Sequence, residues 1–180
     1  MRRSAFAVLA LAAALAVPAT VGAALPKIPK VNRTIVLGKS IAGVRLGDTL
    51  KRAKTVWGPG SKCTSFPPNT GCYWSGGKLG QLGATAKNGR IVTLTIQLGH
   101  KPGLGYYPAP LLSQVKLAGK IAVGTPVAKL KATYAFPVLN TTGNTSFSIY
   151  AAGHKVETSF SFDLDGKTEP IWAITLYGYS

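Results

Sequence analysis

Cysteine and histidine are the side chains in this chain best suited to bind a metal or carry redox chemistry, and each occurs twice. Cys63 and Cys72 are separated by eight turn-forming residues, which is not the Cys-x-x-Cys spacing of a redox-active dithiol. Neither His100 nor His154 lies at metal-ligand spacing from the cysteines. We therefore predict one structural disulfide between Cys63 and Cys72, with no metal and no cofactor.

Carboxylates for acid–base catalysis are scarce. Asp48 stands alone, and the other four acidic residues fall between Glu157 and Glu169. Asp163 and Asp165 flank a predicted hairpin turn, where turn and solvent roles explain them better than paired catalysis. A Ser/His/Asp arrangement is compatible with the composition, but no nucleophile-elbow motif is present. We predict that the chain is not an enzyme.

The first 23 residues have the pattern of a secretory signal peptide. Arg2 and Arg3 precede an apolar run at 5–17 that is too short to span a bilayer, and Val21-Gly22-Ala23 is a small-residue cleavage site. We predict a mature protein that is secreted or periplasmic, soluble after removal of residues 1–23, and without a transmembrane segment. The alternative is a retained N-terminal anchor.

The charge balance is strongly basic, with 21 Lys and Arg residues against five Asp and Glu and a formal net charge of +16. Such a charge on an exported chain favours contact with polyanions such as envelope polymers, acidic lipids, an acidic protein or extracellular nucleic acid. The alternative is that the charge serves solubility. No nucleic-acid motif is present, so nucleic acid ranks last among these partners.

The chain resembles itself at a constant offset of 77 residues. Residues 44–57 lie over 121–134, with Gly47 over Gly124, and after a three-residue insertion residues 91–96 lie over 171–176. We predict two copies of one unit, at 24–99 and 111–180, joined by a linker at 100–110.

Each predicted unit begins with a short amphipathic helix and continues with strands. Asp48 and Thr125 are predicted N-caps, and Asn88-Gly89 and Asp165-Gly166 are hairpin turn signals. Apolar residues at helical spacing are Leu50, Ala53 and Trp57 in the first unit and Val127, Leu130 and Tyr134 in the second. The expected fold is α+β: two tandem units, each a helix followed by about three antiparallel strands, with the helix layered on the sheet.

The turns Gly47-Asp-Thr and Gly124-Thr-Pro, each leading into a short helix and antiparallel strands, resemble the repeat of beta-lactamase inhibitory proteins. They are also similar to the single unit of BamE/SmpA-type outer-membrane assembly lipoproteins. This resemblance implies non-catalytic protein binding, which the inhibitors perform through the open face of a paired sheet.

Two surfaces are candidates for binding. Tyr, Ser and Thr make adaptable protein-binding surfaces, and the predicted sheet face away from the helices is rich in them. Its candidate residues are Tyr73, Thr93, Thr95, Tyr150, Thr175 and Tyr177. The alternative is that the two units pack these faces together, so that Tyr73 and Tyr150 belong to the core.

The second candidate surface is cationic. Lysines and one arginine are expected on the solvent side of both helices, where they could dock a polyanion or simply be solvated. These residues are Lys51, Arg52, Lys54, Lys129 and Lys131. The leading hypothesis is thus an exported non-catalytic protein-binding module of the inhibitor or envelope-assembly type. The alternatives are a module attached to an anionic envelope polymer and, ranked below it, a hydrolase that gathers His154 with Ser159 or Asp163.

Overall fold

The computed structural model describes residues 25, 28–59, 62–101, 105–107, 109–117, 120–134, 146–151, 155–162 and 170–178, with the backbone alone at 100–101 and 146–151. Several predicted features lie outside the described residues: the signal peptide, His154, Asp163, Asp165 and Glu169. For His100 only the backbone is described. No helix among the described residues is long and apolar enough to cross a membrane.

Strands dominate the described chain. In chain order they are β1 (Ile35–Val36), β2 (Ser40–Ile41), β3 (Val44–Arg45), β4 (Lys62–Phe66), β5 (Asn69–Ser75), β6 (Gln81–Lys87), β7 (Arg90–Gln97), β8 (His100–Lys101), β9 (Gly105–Tyr106), β10 (Ser146–Ala151), β11 (Val156–Phe162) and β12 (Ile171–Gly178). The helices are α1 (Leu50–Trp57) and α2 (Val127–Thr133), with single 3-10 turns at Lys30–Asn32, Gly77–Leu79 and Leu112–Gln114.

Seven of these strands form one antiparallel sheet in the order β10-β11-β12-β7-β6-β5-β4. β1, β2 and β3 form a small second sheet, and β8 pairs with β9. The predicted fold class, two tandem helix-plus-sheet units, is therefore wrong. The described chain is mostly β, and one continuous sheet runs through both halves of the sequence.

The junction between the halves is the pairing of β7 with β12. Thr95 lies opposite Thr175 and Leu94 opposite Leu176, so the two strands run antiparallel side by side. Two separate small sheets would each leave one more edge of unpaired backbone N–H and C=O groups. When the two edges join, these groups hydrogen-bond to each other. This is the physical reason that the two-unit prediction fails.

One face of the large sheet is covered by the helices and the small sheet. Trp57 of α1 packs edge to face on Trp74 of β5, with ring centroids 4.9 Å apart. Tyr134, at the end of α2, lies 6.5 Å from the ring of Phe160 on β11. The predicted apolar residues Ala53, Trp57, Val127 and Leu130 are buried in this core. The helices are too short to be stable alone, so this packing holds them.

The turns before the two helices make the same hydrogen bonds. The Gly47 amide donates to the Ile91 carbonyl, and the Gly124 amide donates to the Ile171 carbonyl, at 2.8 and 2.7 Å. Both glycines have positive φ, at 85° and 86°, which other residues adopt at a cost. Equivalent local turns therefore anchor both halves to the shared sheet, although the halves are not separate units.

The predicted helix caps differ in detail. Thr49 caps α1, because its hydroxyl accepts a hydrogen bond from the Arg52 amide, while Asp48 accepts from the Arg45 amide. Pro126 is the N-cap residue of α2, and the Thr125 hydroxyl accepts from the Ala122 amide. Asp48 and Thr125 thus stabilise the turns that precede the helices rather than the helices themselves.

Candidate functional site: the uncovered face of the sheet

The alternation of strand residues separates the large sheet into a buried face and an uncovered face. One line of cross-strand partners consists of five buried residues: Trp74, Leu82, Ile96, Ile174 and Phe160. The residues between them point to the opposite side, where Tyr73 and Tyr177 are exposed and Thr175 and Glu157 are buried. We call this side the open face.

Two lines of cross-strand partners define the open face. The first runs from β4 to β11 through Lys62, Tyr73, Gly83, Thr95, Thr175 and Ser159. The second runs from β4 to β10 through Thr64, Gly71, Thr85, Thr93, Tyr177, Glu157 and Tyr150. The structure thus places all six predicted protein-binding residues in these two lines, and for Tyr150 this refers to its backbone register alone.

The open face is exposed at its tyrosines. Tyr73 is 39% exposed and Tyr177 is 36% exposed. The alternative in which the two halves pack these faces together, with Tyr73 in the core, is therefore wrong. Because β7 and β12 join edge to edge, both halves contribute to a single surface.

Polar side chains on the open face hold one another in place. The Thr95 hydroxyl donates to the Thr175 hydroxyl across the β7–β12 junction at 3.3 Å. Gln81 Nε2 donates to Gln97 Oε1 across β6 and β7 at 3.5 Å. Such cross-strand pairs stabilise a sheet and fix its side chains, so this surface is ordered before any partner arrives.

Glu157 stands beside Tyr177 on the open face. The two residues are cross-strand partners, and Glu157 is 9% exposed. Burial raises the pKa of the Tyr177 phenol above its usual 10, the negative charge of Glu157 raises this pKa further, and a hydrogen bond with Thr175 opposes both effects. Tyr177 therefore stays a neutral hydrogen-bonding group at physiological pH.

Phe66 was missed by the sequence interpretation. It is 45% exposed and lies on the same side of β4 as Lys62 and Thr64, which face Tyr73 and Gly71. A Cβ added to Gly71 would stand 3.3 Å from Phe66 Cε1 and 3.4 Å from Tyr73 Cε2, so the two rings flank this glycine. The disulfide could have revealed this, since pairing Cys63 with Cys72 fixes the register that brings Phe66 onto the tyrosine side.

The predicted disulfide between Cys63 and Cys72 is confirmed. The two residues are directly opposite each other on β4 and β5, with their α-carbons 4.1 Å apart. The bond ties the outermost strand of the large sheet to its neighbour. It therefore holds the aromatic end of the open face in place.

The predicted cationic residues are all exposed. Lys51, Arg52 and Lys54 lie on the outer side of α1, and Lys129 and Lys131 lie on the outer side of α2. Both helices pack on the buried face of the sheet, so this cationic surface and the open face point in opposite directions. The two candidate surfaces are separate.

A cavity of about 330 Å³ lies at the end of β7, beside the chain segment that follows it. Aromatic and proline residues make up half of its lining, which consists of Leu98, Tyr106, Tyr107, Ala109, Pro110, Ser113, Gly124 and Pro170. Tyr106 also stacks on Trp172 at a centroid distance of 6.0 Å. Trp172 is half-buried, whereas Trp57 and Trp74 are fully buried.

No cluster of three or more His, Cys, Asp or Glu residues that could hold a metal occurs in the part of the chain that the structure describes. The hydrolase hypothesis rests on His154 with Ser159 or Asp163. Ser159 lies on the open face, whereas the other two residues lie outside the described chain. That hypothesis stays untested.

No protein-family model matches this chain, and no curated protein matches it. Among solved structures, it is similar to an extracellular protein containing an SCP domain from Bacillus anthracis str. Ames, with a TM-score of 0.46 and 10% identity. It is also similar to a cysteine-rich secretory protein from Staphylococcus aureus subsp. aureus Mu50, with a TM-score of 0.46 and 12% identity. Each match covers 74% of this chain but only 44% of the other, so this chain spans less than half the length of either protein.

The predicted resemblance to beta-lactamase inhibitory proteins and BamE/SmpA-type lipoproteins is wrong. The similar structures are described as SCP-domain and cysteine-rich secretory proteins instead. The resemblance rested on two turns of three residues. Such a turn is dictated locally by a positive-φ glycine before a helix, and many unrelated folds contain one.

Proposed function

We propose that this is an exported, non-catalytic protein that binds another protein through the open face of its large sheet. The observation that carries the proposal is the shared placement of Tyr73, Thr93, Thr95, Thr175 and Tyr177 on one face of the sheet, with both tyrosines exposed and Thr175 buried between them. Exposed aromatic side chains set among small polar ones are the composition of protein-binding surfaces.

Charge supports the same surface. The two lines of residues that form the open face contain one lysine, Lys62, and one acidic residue, Glu157. The exposed cations of α1 and α2 point away from this face. The cores of protein interfaces are depleted in charged residues and enriched in tyrosine. The open face has this composition, and the helical surface does not.

Export is supported by the signal-peptide pattern of residues 1–23 and by the disulfide, which persists in oxidising compartments. Outside the cytoplasm the Cys63–Cys72 disulfide stays oxidised, so it can continue to hold the tyrosine-rich open face in place. We therefore place the binding partner in the cell envelope or the secreted fraction.

The test is capture of a saturable partner by the purified exported chain from envelope and secreted proteins, followed by measurement of the dissociation constant. The double variant Tyr73→Ser with Tyr177→Ser should bind at least about tenfold more weakly, since aromatic anchors carry most of the affinity of an interface. Tyr73→Phe with Tyr177→Phe keeps both rings and is the matched control. Absence of a saturable partner, or equal affinity of the serine variant, would refute the proposal.

A second candidate function is attachment to an anionic envelope polymer through the exposed cations of α1 and α2. Its support is the placement of Lys51, Lys54, Lys129 and Lys131 on solvent-facing helix surfaces. Binding to purified anionic polymer should then fall steeply with salt and disappear when these four lysines are replaced by glutamate. Replacing Lys78, Lys87, Lys116 and Lys155 instead changes net charge equally and is the control. If both variants behave alike, the attraction is only a net-charge effect.

A further inference from the structure

The cavity of about 330 Å³ beside the end of β7 is a second concave site in the described chain. Leu98 and Ala109 are buried and form its floor, while Pro110 and Gly124 are exposed and form its mouth. Its described lining includes no residue from the two lines of the open face. Ligand cavities in proteins measure about 300–1,000 Å³, so this one has room for a small ligand.

Backbone hydrogen bonds hold the walls of this cavity. The Leu98 amide donates to the Trp172 carbonyl at 2.8 Å, and the Tyr107 amide donates to the Gly99 carbonyl at 2.9 Å. The Gly124 amide donates to a carbonyl of β12 at 2.7 Å. The chain segments around the cavity are thus tied to the large sheet. A cavity that is already formed avoids much of the ordering cost of binding.

One wall of the cavity is aromatic. The ring of Tyr106 stacks on Trp172, with 9° between the two planes. An irregularity of the sheet places Trp172 there, because the pairing of β12 with β11 passes from Ala173 to Ile171 and skips Trp172. Bulges of this kind re-aim a side chain and are frequent next to active sites.

Stability alone does not account for a tryptophan at position 172. Its Nε1 is buried and has no hydrogen-bond partner in the described part of the chain. A buried donor without a partner costs free energy. Phenylalanine would stack on Tyr106 without that cost, so packing alone would favour phenylalanine here.

A hydroxyl group lies in the cavity wall beside Gly124. A Cβ added to Gly124 would stand 3.5 Å from Ser113 Oγ, so the glycine leaves the space next to this hydroxyl open. The Ser113 amide donates to the Ala109 carbonyl, whereas the Ser113 hydroxyl forms no hydrogen bond to another residue of the described chain. A hydroxyl group can both donate and accept. A ligand that enters at Gly124 can therefore pair with it in either sense.

The chemistry of the lining indicates an uncharged ligand. None of the described lining residues carries a charge, and a buried charge without a partner is costly. The net charge of +16 also disfavours a cationic ligand. Tyr106, Tyr107 and Ser113 combine aromatic surface with hydroxyl groups. A sugar ring is complementary to this combination, because its faces carry C–H groups that pack on aromatic rings and its edges carry hydroxyl groups.

Proline-rich peptides are the main competing class of ligand, since they dock on aromatic-lined grooves. Such peptides bind as extended helices with a rise of about 3.1 Å per residue and need a long groove. This site is a compact cavity closed by Leu98 and Ala109. Its shape favours a short, ring-shaped ligand over an extended chain.

We propose that this cavity binds one neutral sugar unit of a glycan. The apolar face of the sugar packs on the wall to which Tyr106 and Tyr107 contribute, and one of its hydroxyl groups pairs with Ser113 Oγ. The remainder of the glycan leaves through the mouth at Pro110 and Gly124. This site goes beyond the proposed function, because it uses no residue of the open face.

The probes are four neutral disaccharides: cellobiose, maltose, lactose and N,N′-diacetylchitobiose. Titration to about 20 mM into the isotope-labelled exported chain should give saturable NMR shifts at the amides of Tyr106, Ser113 and Gly124 for at least one of them, with a Kd of about 0.1–10 mM. The uronic-acid and amino-sugar counterparts of that disaccharide should bind at least about tenfold more weakly. No saturable shift with any of the four, or equal binding of a charged counterpart, would overturn the proposal.

Variants of Ser113 test the location of the sugar. Ser113→Ala removes the hydroxyl and should weaken binding about fivefold, and Ser113→Leu fills the cavity and should abolish binding. Ser65→Ala and Ser65→Leu make the same exchanges at an exposed position of β4 and should leave binding unchanged. Full affinity in Ser113→Leu would overturn the proposal, because the sugar would then be bound elsewhere.

Trp172 provides an independent readout that does not require Ser113→Leu to fold. Saturating disaccharide should change the tryptophan fluorescence of the chain, because Trp172 stacks on a residue of the cavity wall. Trp57 and Trp74 are fully buried, so Trp172→Phe should abolish this change. A change that persists in Trp172→Phe would place the sugar near another tryptophan and overturn the proposal.

The site and the proposed function can fail separately. Ser113→Leu should capture the protein partner normally, and Tyr73→Ser with Tyr177→Ser should bind the disaccharide normally. Loss of disaccharide binding in the tyrosine variant would place the sugar on the open face and overturn the proposal. If the peptide acetyl-Pro-Pro-Pro-Pro-amide shifts the cavity amides while none of the disaccharides does, the cavity is a peptide site and the proposal fails.

Discussion

The ring of Tyr73 lies across the backbone of Gly83, its cross-strand partner on β6, so closely that a Cβ at Gly83 would stand 3.2 Å from Tyr73 Cδ1. The absence of a side chain at Gly83 lets the ring lie flat on the sheet. Tyr73 nevertheless remains 39% exposed, so one side of it faces solvent. An aromatic ring supported by glycine backbone in this way is both ordered and available for contact.

Gly83→Val should lift the Tyr73 ring from the sheet, because the new methyl groups take the space that the ring occupies. We expect greater reactivity of Tyr73 toward a nitrating reagent, mapped by mass spectrometry. Thr85→Val lies two residues further along the same strand and is the control, with no change expected at Tyr73. Unchanged nitration in the Gly83→Val variant would contradict the described packing.

Removal of the disulfide by Cys63→Ala with Cys72→Ala should destabilise the protein. The chain-entropy model gives about 2.5–3 kcal/mol for a loop closed by residues nine apart. For a chain of this size that corresponds to about 5–12 °C in Tm. Calorimetry of the oxidised, reduced and double-alanine proteins checks the value, and the last two should agree with each other. An unchanged Tm would mean that β4 contributes nothing to cooperative unfolding.

Trp57 connects α1 to β5 and to the turn between β2 and β3, so its substitution should be strongly destabilising. It is 2% exposed, packs on Trp74, and donates from Nε1 to the Ala42 carbonyl at 3.0 Å. Trp57→Ala should cost about 3–5 kcal/mol, and Trp57→Phe about 1–3 kcal/mol because it leaves the Ala42 carbonyl unpaired. Denaturant unfolding measures both. A Trp57→Phe variant as stable as the unaltered protein would indicate that the hydrogen bond contributes nothing beyond the ring.

The phenol of Tyr177 should titrate above the usual pKa of 10, first because of burial and then because of the Glu157 charge. Glu157→Gln removes the second cause and should lower the pKa of Tyr177 without returning it fully to 10. The folded state binds this proton more tightly than the unfolded state, so the contribution of Tyr177 to stability is complete below about pH 10 and declines above it. Titration of the Tyr177 ring by NMR in both proteins checks the direction. A pKa that does not fall in the variant would contradict the described pairing.

Local structure was predictable where a few residues decide it. The hairpin at Asn88-Gly89 is confirmed, and both residues have the positive φ that a tight two-residue turn requires. The disulfide and the stripe of Ala53 and Trp57 are confirmed for the same reason, since spacing along the chain determines them.

The joining of the halves was not predictable from local patterns. Leu94 on β7 and Leu176 on β12 are directly opposed in the sheet but far apart in the sequence. The alternation of apolar and polar residues within a strand is the same whether the strand lies at the edge of a sheet or inside it. The small sheet β1–β3 consists of two-residue strands, which are too short for periodicity to reveal. The cross-strand register nevertheless puts Tyr73, Thr93, Thr95, Thr175 and Tyr177 on one face, because alternation within a strand does not depend on which strands are its neighbours.

We propose that the open face, and not the cationic helix surface, binds a protein partner. The most direct measurement compares the dissociation constant of the captured partner for two variants: Tyr73→Ser with Tyr177→Ser, and Lys51, Lys54, Lys129 and Lys131 all replaced by alanine. We expect the first variant to bind at least about tenfold more weakly and the second to stay within about threefold of the unaltered protein at physiological salt. Loss of binding in the lysine variant together with full affinity in the tyrosine variant would contradict the claim.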